Sequence, residues 1–63
     1  MKLILEIEFG NDAMQSLADA ARATRLIFDD FSRRPEPIEE NEGESGRIYD
    51  ANGNNVGTWD VTD

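Results

Sequence analysis

Asp50, Asn52 and Asn54 place side-chain oxygens at alternate positions of the segment DANGNNVGTWDV, residues 50 to 61. That spacing opens a common type of calcium loop, in which a glycine at the sixth position allows a sharp bend and a bidentate glutamate at the twelfth closes the site. Here those positions hold Asn55 and Val61. One carboxylate with two amides competes poorly with the hydration shell of a hard cation, so no metal is expected. The same letters serve a chain reversal better. Asp suits the first position of a type I turn and Asn the third, and Gly53 then supplies the left-handed residue of a bulge. A tighter two-residue Asn52-Gly53 loop of type I′ competes, and it shifts the strand pairing by one. The bulged turn sets Ile48 across from Val56 and gives Tyr49 a face in common with Trp59 and Val61. The tight turn sets Tyr49 opposite Val56 and puts Ile48 on the face of Trp59. Residue preferences favour the bulged turn, and with either turn residues 47 to 61 form a hairpin.

Other chemistry is scarce. The chain has no cysteine and no histidine, which removes disulfides, the usual zinc sets and a Ser-His or Cys-His nucleophile. Asp50 with Asp60 is the one conceivable acid-base pair, but a sheet with one helix offers no deep pocket to shift their pKa values. No catalytic residue and no cofactor are expected, and the chain reads as a non-enzyme. Fourteen acidic residues against six basic ones give a net charge of -8. That balance opposes direct contact with nucleic acid or an anionic membrane; it serves solubility first, and a charge-driven partner would be a protein with a basic surface. Glu36, Glu39, Glu40, Glu42 and Glu44 form a candidate acidic contact. With Glu6, Glu8, Asp29 and Asp30 they suggest an alternative function as a DNA mimic that inhibits a nucleic-acid-binding or defence protein. Arg22, Arg25, Arg33 and Arg34 weaken that alternative, because they lay a basic strip along a helix. The longest apolar stretch, Leu3 to Leu5, is too short for a membrane span, and a cytoplasmic location is expected.

The elements that hold these residues can be read from their periods. Residues 2 to 9, KLILEIEF, alternate so that Leu3, Leu5, Ile7 and Phe9 face one way, as in a half-buried strand. From residue 12 to residue 32 the period becomes helical, with Met14, Leu17, Ala21, Thr24, Phe28 and Phe31 as one stripe, and Asp12 with Gln15, or Asn11 one residue earlier, as the expected cap. Arg33 and Arg34 compensate Asp29 and Asp30 at the negative end of this helix, and Pro35 stops it. Residues 35 to 46, PEPIEENEGESG, read as a flexible acidic connector. The order βαββ implies a small α+β domain, a three-stranded sheet with one helix packed on one face. One helix covers only one side, so Ile4 and some of Ile48, Tyr49, Val56 and Trp59 are expected on a bare face that seeks a partner. Leu26, opposite the core stripe of the helix, joins them as a candidate interaction residue.

The strand KLILEIEF, the helix AMQSLADAARATRLI and above all GRIYDANGNNVGTWDV, residues 46 to 61, resemble short bacteriophage and prophage proteins of the actinobacterial type. The resemblance spans most of the chain apart from the connector. It implies an accessory protein made in the host cytoplasm, and it carries over no catalytic residue. Together with the thin core expected of so short a chain, it points to a module that acts by protein contact and self-associates as a homodimer.

Overall fold

A computed structural model describes residues 1–63. Its elements are strand β1 (Lys2–Ile7), helix α1 (Leu17–Phe31), a 3-10 turn (Ile38–Asn41), and strands β2 (Ser45–Tyr49) and β3 (Asn55–Thr62). The fold is α+β, with three antiparallel strands in the order β1-β3-β2 and one helix on one face. The central strand is the last one, so both β1 and β2 are edges.

The hairpin combines the two arrangements that its sequence allows. At the tip, the Gly53 N–H donates to the Asp50 carbonyl at 3.0 Å, the Asp50 N–H donates to the Asn54 carbonyl at 3.0 Å, and Gly53 has a φ of 81°. This is the type I turn with its glycine bulge. One step further the pairing slips again: Tyr49 opposes Asn55, whereas Ile48 opposes Gly57, leaving Val56 as a second extra residue. Each bulge adds one residue on the β3 side, and the two cancel in phase. From Ile48 onward the strands are therefore paired as a tight Asn52-Gly53 loop would pair them. Ile48 shares the covered face with Trp59 and Val61, and Tyr49 does not. This corrects the faces expected from the bulged turn alone.

The second bulge also turns Val56 inward. Ile48, Val56 and Trp59, expected among the residues of a bare face, are buried beneath the helix with Met14 and Val61. Burying Ile48 alone is worth about 2 kcal/mol. Two glycines make the close packing feasible. A Cβ on Gly46 would stand 2.4 Å from the Trp59 indole nitrogen, and one on Gly57 would stand 1.9 Å from the Glu6 carbonyl oxygen.

The helix starts later than its period suggests. Residues 11 to 14 form a turn in which the Met14 N–H donates to the Asn11 carbonyl and the Ala13 N–H donates to the Asn11 side chain. Met14 is thus core, but from a loop. The cap is Ser16, not Asp12: its hydroxyl accepts from the Asp19 N–H, and the Asp19 carboxylate accepts from the Ser16 and Gln15 N–H groups. Ser16 wins because Asp19 stands at the third helical position and can complete the reciprocal capping box. The helix is also rotated. Ala20, Ala23, Thr24, Ile27 and Phe31 face the sheet, whereas Leu17 and Ala21 are exposed and Phe28 is half-exposed. Phe31 fixes that rotation by meeting the Trp59 ring edge to face, centroids 5.0 Å apart. Buried Thr24 is satisfied within the helix, its hydroxyl donating to the Ala20 carbonyl at 3.0 Å.

Where a flexible connector is expected, the chain from residue 35 to residue 44 is hydrogen-bonded. Backbone bonds join Glu40 to Pro37, Glu42 to Glu39 and Glu44 to Asn41, and residues 43 and 44 bond to Val61. Arg34 supplies what the composition lacks in apolar groups. Its guanidinium donates to Asp30 at 3.0 Å, Asn41 at 3.3 Å and Glu44 at 2.7 Å, and lies 6.0 Å from the centre of the Trp59 ring.

Candidate contact surface

Asp50 is the most heavily bonded side chain in the molecule. One carboxylate oxygen accepts the N–H groups of Asn52 and Asn54 at 2.8 and 2.9 Å. The other accepts the side-chain amides of Asn11 and Asn54 at 3.0 and 3.2 Å. Burial by itself would push this carboxyl up, but the donors from Asn54, Asn52 and Asn11 outweigh it and hold it below the ordinary aspartate value. The alternating oxygens of the segment thus serve an anion held by N–H donors, and the Asn11 bond ties the loop before the helix to the hairpin tip. Asp60 lies toward the far end of β3, opposite Ile4 and Ser45, so the two aspartates do not form a pair.

The outer face of the sheet is largely polar. Register places Lys2, Ile4, Glu6, Ser45, Arg47, Thr58 and Asp60 there, and Ile4, 40% exposed, is its one large apolar group at mid-sheet. Tyr49, at the end of β2, borders a hollow with Ala13, Arg22, Ala23 and Leu26. Leu26 is exposed beside it and also borders a shallow hollow with Arg25, Phe28, Asp29 and Ser32.

The uncovered apolar surface is on the helix side of the sheet, alongside the helix. The flank carrying Arg22, Ala23 and Leu26 borders the β2 end of the molecule. Leu17, Ala21 and Phe28, at helical spacing, lie on the opposite flank. Leu17 is 82% exposed and Phe28 50%. β1 turns Leu3, Leu5 and Ile7 to the helix side of the sheet; Leu3 is 41% exposed, and Phe9, past the end of the strand, 49%. A hollow of about 150 Å³ continues the strip between Leu3, Phe31, Ile38, Trp59 and Val61, with Arg34 at its rim. Four of these residues, Leu3, Phe9, Leu17 and Phe28, are absent from the surface expected from sequence. They carry the right periods for a core, and only the position of the helix over β2 and β3 leaves them outside it.

Among the acidic candidates, Glu36, Glu39, Glu40 and Glu42 are exposed, and Glu44 is engaged with Arg34. The basic strip is largely spoken for: Arg22 pairs with Asp19, Arg33 with Asp29, and Arg34 with Asp30 and Glu44. No helix is long and apolar enough to cross a membrane. Compared with known proteins, the chain matches no family, no curated protein and no solved structure.

Proposed function

We propose that this chain is a protein-binding module that self-associates, an accessory protein of the phage type that its strand, helix and hairpin resemble, acting in the host cytoplasm without catalysis. The observation that carries this reading is the apolar strip of Leu3, Phe9, Leu17 and Phe28 beside the helix. Contiguous apolar groups on one side of a small domain mark a contact surface far more often than scattered exposed leucines do. The acidic-mimic alternative draws on the four exposed glutamates of residues 36 to 42, and it has lost Glu44 to the Arg34 cluster.

Sedimentation at micromolar concentration tests the reading. The wild-type chain should behave as a dimer, and the doubly substituted Leu17→Glu, Phe28→Glu chain as a folded monomer, its fold checked by circular dichroism because Phe28 is half-buried against the Phe31 ring. A wild-type monomer would sink the proposal.

A further inference from the structure

The free edge of β1 lies along the uncovered strip, and its backbone shows how it is to be used. The Glu8 N–H donates to the Val56 carbonyl, so the even residues of β1 bond to β3. Consistent with this, Val61, an odd residue of β3, bonds to residues 43 and 44 on the other side. The N–H and C=O groups of Leu3, Leu5 and Ile7 accordingly point away from the sheet at an open edge.

We infer that the occupant of this edge is a second copy of the chain, joined β1 to β1 in antiparallel fashion about a two-fold axis at Ile4. The inference rests on the contact reading above and adds its partner and register. With Ile4 opposite Ile4 of the second copy, Leu3 stands opposite Leu5, and these are the residues whose backbone groups are free to bond. On the outer face the same register sets Lys2 opposite Glu6 twice, once on each side of the axis, so charge complementarity selects it. Each exposed Ile4 is covered by its twin. A register two residues over would set Ile4 against the Glu6 carboxylate. The two three-stranded sheets become one of six strands in the order β2-β3-β1-β1-β3-β2. Both helices then stand on one face of it, with their Leu17 and Phe28 flanks turned toward each other across the joined strands. The contact is isologous and closed, as a symmetric dimer requires.

The chain has no cysteine, so a single introduced thiol reports the axis cleanly. In the non-hydrogen-bonded pair at Ile4 the Cα atoms of the two copies stand about 4.5 Å apart, within disulfide range. Ile4→Cys should therefore crosslink to a covalent dimer in mild oxidant, and Thr62→Cys, one strand further from the axis in β3, should not. Lys2→Glu and Glu6→Lys should each weaken association at least tenfold, and the chain carrying both should recover it. A wild-type monomer, including one that captures a foreign strand instead, overturns both the self-association reading and this inference. A wild-type dimer in which Ile4→Cys does not crosslink, or in which the double charge exchange fails to recover association, overturns the β1 register alone.

Discussion

The Asp50 carboxylate illustrates how one residue can organise a small molecule through hydrogen bonds alone. It closes the hairpin tip through Asn52 and Asn54 and reaches across to Asn11 in the loop before the helix. Because its folded pKa is held below the unfolded value of about 3.9, its contribution to stability is complete above that pH and is lost as pH falls through the lower folded value. Asp19, lowered chiefly by the Gln15 N–H, adds acid sensitivity of the same sign. Asp50→Asn would turn an amide N–H₂ toward the amides of Asn11 or Asn54. Thermal melts of this variant should show a lower Tm at pH 7 and a flatter dependence below about pH 4 than wild type. An unchanged slope in that window would show that Asp50 is not the group responsible. The segment's turn chemistry was legible in its letters, since Asp, Asn and Gly each occupy the position their preferences demand. Its bond to Asn11 was not, because nothing local links residues 39 apart.

At the scale of elements, the strand, the helix and the hairpin were legible from period alone, whereas the phase of the helix was not. Leu17, Ala21 and Phe28 form as good a stripe as Ala20, Ala23 and Ile27, and only packing against Trp59 and Ile48 selects between them. The small alanines win the contact because they let the helix approach the sheet closely, and the larger side chains are pushed to its flank. The second bulge, at Val56, was equally hidden: it has no turn signature and arises from the demand that Val56 and Ile48 be buried together. Order in the connector was missed because composition counts apolar groups, and here Arg34 and backbone bonds do the ordering. The helix start offers a direct check. Ser16→Ala removes the acceptor for the Asp19 N–H and should cost about 1 kcal/mol, read as a loss of stability in urea, while Asp12→Ala should be nearly silent.

For the molecule as a whole, the core is five buried apolar residues under one helix, little for a chain without disulfides. Association would add what the monomer lacks, and mass action makes that measurable. If the β1 strip is covered by a second copy, Tm should rise by roughly 5 °C for each tenfold increase in protein concentration, and a Tm independent of concentration would contradict it. The cancelling bulges carry one more implication. Residues 49 to 56 cap a scaffold whose strand alignment below Ile48 is the one a shorter, two-residue reversal would produce. Swapping in such a reversal would cost Asp50 its donors and Val56 its shelter, yet Trp59, Gly46 and the whole of β1 would keep their neighbours. The far end of the hairpin is thus a port for grafted loops that keep an apolar residue in the place of Val56 and a partner for Asn11.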